Sequence, residues 1–153
     1  MKKVTLILGI VFAGAAFAAS LHVPFFVDTA GTTWADGRPS QNPVGGGAAA
    51  FIGIKNNTGS SILCTVTYRT PSGADATPTP NTFLLPANTG LSWRPYATDD
   101  IQEPSSPVPN ATTPVGAATI TWTGNATDIQ GRYMQINSLI GGAAGMYLLP
   151  PGL

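Results

Sequence analysis

Residues 48–70, AAAFIGIKNNTGSSILCTVTYRT, hold two apolar runs separated by a short polar stretch. In the second run Ile62, Cys64, Val66 and Tyr68 alternate with Leu63, Thr65, Thr67 and Arg69. Such a period of two, rich in β-branched and aromatic side chains, puts one side of a strand in a core and the other in water. Between the runs, Asn56-Asn57-Thr58-Gly59-Ser60 supplies residues that tolerate positive φ, so the two runs are expected to pair as a hairpin. Phe51 and the Ile62 to Tyr68 side are expected to line the core.

The same pattern recurs along the chain, and no segment after the first twenty residues has convincing helical periodicity. Candidate strands are 20–28, 48–55, 61–70, 81–86, 90–96, 116–123, 129–137 and 144–149, punctuated by Gly, Pro and Asn. Strand 116–123 places Ala118, Ile120 and Trp122 opposite Thr119, Thr121 and Thr123, and 129–137 is expected to be its partner, with an inward side that the pattern leaves open. Pro95 removes a ladder donor, so strand 90–96 ends there or lies at an edge. Residues 97–115, with Asp99, Asp100 and Glu103 followed by four prolines, are expected to form a stiff acidic surface loop. Seven or eight short strands in this length predict an all-β, two-sheet antiparallel sandwich of immunoglobulin-like type.

The beginning of the chain carries an export pattern. Lys2 and Lys3 precede an apolar stretch from Val4 to Ala16, and Ala16-Phe17-Ala18 meets the small-x-small rule for cleavage before Ala19. The stretch is shorter than the ~20 residues of a membrane span. The expected domains are therefore a signal peptide at 1–18, an N-terminal strand with a Gly/Pro-rich tether at 19–47, and a sandwich at 48–153. A Lys-Lys start suggests bacterial export, to the periplasm or to the cell surface and beyond, with membrane contact confined to the uncleaved leader. Processing leaves five cations against seven carboxylates, a net charge of −2, which neither steers a partner nor attracts nucleic acid.

Few residues suited to catalysis are present. His22 is the single histidine and sits on an expected edge strand, and no G-x-S-x-G, H-E-x-x-H or Cys pair occurs, so no enzyme activity and no cofactor are expected. Asp99, Asp100 and Glu103 are a weak calcium candidate whose spacing fits no EF-hand; no metal site is otherwise expected. Cys64 is the single cysteine, which rules out an intramolecular disulfide, and its place in an alternating strand suits a small buried hydrophobe.

Two binding functions remain. Leu21, Val23, Phe25 and Val27 share one side of an isolated strand followed by a long irregular connection, so the strand is expected either to close its own sheet or to fill a groove in a neighbouring copy. The second possibility makes the protein a self-assembling extracellular filament or layer built by strand donation. The alternative is a polysaccharide-binding module that uses exposed rings among Trp34, Trp93, Trp122, Tyr68, Tyr96, Tyr133 and Tyr147, although the alternating positions of Trp93 and Trp122 favour the core for these two. Trp34 lies outside any strand pattern and is the best single candidate for a ligand or subunit contact.

Overall fold

The structure, a computed structural model, describes residues 18–31, 47–98, 106–137 and 143–152. They form nine strands: β1 (Ala18–Val27), β2 (Ala48–Asn56), β3 (Ile62–Arg69), β4 (Thr82–Leu85), β5 (Gly90–Trp93), β6 (Val115–Thr123), β7 (Ile129–Asn137), β8 (Ala143–Leu149) and the two-residue β9 (Pro151–Gly152). Sheet one runs β4-β3-β6-β1 with β9 appended beyond β1, and sheet two runs β5-β2-β7-β8. All pairs are antiparallel.

The core fills the space between the sheets. Sheet one contributes Leu21, Val23, Phe26, Val66, Tyr68, Leu85, Ile120 and Trp122, and sheet two contributes Ile52, Ile54, Trp93, Ile129 and Tyr133, all buried. Alternation supplies this apolar face strand by strand, and its removal from water is the main stabilising term. Tyr68 is fully buried, and its hydroxyl donates to Pro109 O and accepts from Trp93 Nε1, both at 2.9 Å, so neither ring leaves a polar atom stranded. The end of the presumed surface loop therefore belongs to the core: Val108 and Ala111 are buried in it, and Ala111 N donates to Pro95 O. Proline rigidity suits a segment docked this way as well as an exposed one.

Chain order corrects the pairing expected from sequence. β2 and β3 do not form a hairpin; β2 pairs with β5 and β7, and β3 with β4 and β6, so residues 57–61 cross from one sheet to the other. The crossing is organised by Asn56, a buried amide. Its Nδ2 donates to Ser60 O at 2.8 Å and is shared with Pro86 O and Leu85 O, while its Oδ1 accepts from Thr58 N and Thr58 Oγ1 at 2.8 Å. Likewise β6 and β7 lie in different sheets, joined through 124–128. β7 turns Ile129, Gly131 and Tyr133 inward, which resolves the open side of that strand. Phe51 lies outside the main core, clustered with Ala30, Ala49, Met134 and Ile136 on the far side of sheet two.

β1 contains a further departure. A bulge between Val23 and Phe26 shifts its register against β6, so Phe26 becomes fully buried and Phe25 is 52% exposed. Pro24, which has no amide hydrogen, sits within the bulge, where the ladder is already interrupted. Opposite Phe26, Gly116 allows three strands to converge: a Cβ there would collide with Arg69 O. Gly116→Ala is expected to destabilise the domain by about 3 kcal/mol through overpacking, measured by urea unfolding.

Candidate functional site

The end of β1 is fastened by a buried ion pair. Asp28 and Arg94 are both fully buried, and Arg94 Nε and Nη2 donate to Asp28 Oδ1 at 2.9 and 2.6 Å. Arg94 also donates to Ala30 O at 2.6 Å and Gly31 O at 3.0 Å. The Asp28 carboxylate accepts from Ala50 N at 3.3 Å and, through Oδ2, from Tyr96 N and Ala97 N at 3.0 Å each. A charge removed from water is tolerated when every donor and acceptor around it is used, and here one carboxylate ties together the chain after β1, the start of β2 and the chain after β5. Sequence offered no signal for this pair, because the partners are 66 residues apart and neither lies in a motif.

Each residue proposed from sequence has a place relative to this clamp. Leu21 and Val23 are buried in the chain's own core, Val27 is half-buried, and Phe25 is turned outward by the bulge. β1 pairs with β6 of its own chain along its length and with β9 on the other side. Trp34 and the acidic trio Asp99, Asp100 and Glu103 lie outside the described residues, as does the presumed leader up to residue 17. The segments carrying Trp34 and the acidic trio leave the described fold beside the clamp, at Gly31 and Thr98.

Several aromatic candidates are committed to packing. Trp93 is fully buried and Trp122 nearly so, with its indole N–H donating to Asn125 O at 3.1 Å, so neither presents a stacking face to a ligand. Tyr133 is buried, which pushes its phenol up to about 12, and its hydroxyl donates to Gln135 Oε1. Tyr147 stacks on Tyr133 with ring centroids 6.3 Å apart and is itself 62% exposed. His22 accompanies Ser20 and Thr119 on the outer side of sheet one, 2.9 and 3.2 Å from their hydroxyls. Thr65, Thr67, Thr119 and Thr121 continue this uncharged hydroxyl face along β3 and β6. Among the described residues no group of three or more His, Cys, Asp or Glu is arranged to hold a metal ion.

Cys64 is fully buried against Trp122 of β6 and Phe83 of β4, and burial pushes its thiol up to about 11. Only the thiolate attacks. The thiol is therefore expected to resist a maleimide or an aromatic disulfide at pH 8 in the folded protein and to react fully in denaturant; fast labelling under native conditions contradicts the burial.

The exposed large apolar side chains concentrate on one edge. Met146, Tyr147 and Leu148 of β8 are consecutive and 60%, 62% and 84% exposed. β8 borders sheet two, with no strand on its far side among the described residues. Among the described residues three of the four sheet edges are guarded: β4 and β5 are four residues long, β5 runs into Pro95, and β9 is two residues long and contains Pro151. β8 is seven residues long, with no charge and no proline. Natural sheets blunt exposed edges with short strands, charges or proline, so a long apolar edge is a template for another chain. A second, smaller patch is formed by the cross-strand pair Leu63 and Leu84 on sheet one.

No protein-family model, no curated protein and no solved structure matches the chain.

Proposed function

We propose that the chain is an exported, non-enzymatic structural or interaction protein, released from its leader before Ala19, whose copies assemble through strand β8. The observation that carries this is the β8 edge, unpaired among the described residues, long and uncharged, with Met146, Tyr147 and Leu148 outermost. Antiparallel pairing of β8 with its counterpart joins two copies about a two-fold axis, and such an isologous contact closes at a dimer. Growth into a filament or layer uses a second contact, for which the Leu63–Leu84 patch on the opposite sheet is suited. Sedimentation of the processed protein over a range of concentrations is expected to show reversible association. A monomer at the highest soluble concentration overturns the proposal.

We read the four central strands as following an immunoglobulin-like plan, with the edge strands placed differently. The neighbours β2 and β5 face the neighbours β3 and β6, as strands B and E face C and F in that fold. Here the first strand lies beside β6, where the last strand would be, and β7 lies beside β2, where the first would be. This arrangement supports a second mode of assembly, donation of β1 between copies. Ala30 N donates to Ala48 O, so the fifteen residues 32–46 leave and return at one place and need span no distance within the chain. Extended, fifteen residues reach about 50 Å, enough to seat β1 in another copy's sheet. The two modes separate when β1 is tied to its own sheet. A disulfide between Ser20→Cys and Thr121→Cys, which are register partners, abolishes assembly by donation and leaves pairing through β8 intact.

A further inference from the structure

On the outer side of sheet two lies an open recess of about 450 Å³, lined by Lys55, Ser92, Gln130, Arg132 and Leu148 over a floor that includes Gly53 and Gly90. The four cations among the described residues are Lys55, Arg69, Arg94 and Arg132. Arg69 faces Asp75 at 3.8 Å and Arg94 is clamped to Asp28, so both have carboxylate partners. The third described carboxylate, Asp128, accepts from the backbone N–H of Asn125 at 2.7 Å. Among the described residues no carboxylate stands within 4.0 Å of Lys55 or Arg132. Among the described residues, the two cations left over border one recess.

The register explains how they meet. Gly53 pairs with Ser92 on one side and Arg132 on the other, and Lys55 pairs with Gly90 and Gln130. Alternation sends Lys55, Gln130 and Arg132 to the same outer side. Gly53 has no side chain, and Arg132 lies over it: a Cβ at 53 would stand 3.1 Å from Arg132 Nε and 3.2 Å from its Cγ. The guanidinium stem is thus laid across the sheet toward Ser92. Leu148, on the strand beyond, forms an apolar wall.

We infer that this recess binds a saccharide bearing an anionic group. The guanidinium fork and the ammonium are free to take a carboxylate or sulfate, with charge-assisted hydrogen bonds stronger than neutral ones. The Ser92 hydroxyl and Gln130 amide suit sugar hydroxyls, and Leu148 suits the apolar edge of a ring. The volume exceeds what an inorganic anion occupies and falls in the range of small-molecule sites.

Titration calorimetry of the full processed chain distinguishes the sources of the anion. The probes are a uronate tetrasaccharide, a sulfated tetrasaccharide, a neutral tetrasaccharide of the same linkage and inorganic sulfate. The expected result is saturable binding of one or both charged sugars, weakened by salt, with the neutral sugar and inorganic sulfate at least tenfold weaker. Lys55→Gln and Arg132→Gln each reduce affinity about tenfold. Gly53→Val, which displaces the Arg132 stem, does the same while both cations remain. Unchanged melting temperatures of the two exposed cation variants show that the fold is intact. Absence of binding by both charged sugars overturns the inference, as does equal binding of the neutral sugar or inorganic sulfate, or affinity unchanged in the Lys55→Gln/Arg132→Gln double variant.

Discussion

Replacing Arg94 with Met is expected to lower the stability of the domain by about 3–5 kcal/mol, because it leaves the Asp28 carboxylate buried without its counter-charge. For a domain of this size that corresponds to a melting temperature lower by about 10–15 °C. Asp28→Ala should cost a similar amount, since it strands the guanidinium together with the Ala50, Tyr96 and Ala97 amides. The two changes share one network, so the double variant should lose much less than the sum. The loss should be nearly independent of salt, since both partners are fully buried. Hydrogen exchange adds a local readout: the amides of β1 should lose protection first, because the clamp fastens the chain at the exit of that strand. A loss below about 1 kcal/mol, within the range of a surface pair, would show that Asp28 and Arg94 do not secure β1.

The second large effect concerns association. Leu148→Lys is expected to weaken self-association about a hundredfold, measured by sedimentation equilibrium. Two copies each lose a leucine contact of about 1.5 kcal/mol, and the pair of new ammonium groups adds repulsion. Met146→Lys acts in the same direction, whereas Thr119→Lys, on the outer side of the other sheet, leaves pairing through β8 unchanged. The folded domain should tolerate all three, since Leu148 and Met146 are exposed and Thr119 is only half-buried. If association survives Leu148→Lys and disappears on closing the disulfide of the Ser20→Cys/Thr121→Cys variant, β1 exchange carries the assembly and the β8 edge does not. The Leu84→Lys variant tests growth beyond the dimer: it should stop at paired copies.

Much of the secondary structure was legible because it rests on a local rule. Side chains alternate across a strand, so Cys64, Val66 and Tyr68 could be assigned to a core face with no knowledge of what they pack against. The burial of Cys64, the inward turn of Phe83 and Leu85, and the end of β5 before Pro95 follow from that rule and from the missing proline donor. The bulge at Pro24 was not legible, because a strict period of two assigns Phe25 and Phe26 to the wrong sides once an extra residue is inserted.

The candidate sites were less legible than the strands. Neither the Asp28–Arg94 clamp nor the meeting of Lys55 with Arg132 has a motif, since each depends on strands far apart in sequence that the fold brings side by side. The absence of any charge or proline from 143–149 was visible from the start, but its meaning depends on β8 lying at an edge.

By itself the sequence determined that the chain forms short antiparallel strands with one apolar side, that no disulfide staples them, and that little charge covers the surface. Tertiary structure decided which strands are neighbours. A connection of five residues serves equally well to turn a hairpin or to cross between sheets, and local φ preferences do not distinguish the two. The choice falls to burial summed over all strands and to Asn56, whose amide satisfies the crossing from within. The same long-range packing placed β1 beside β6, left β8 at the border and set two cations around a glycine floor, none of which is encoded in any short stretch of the chain.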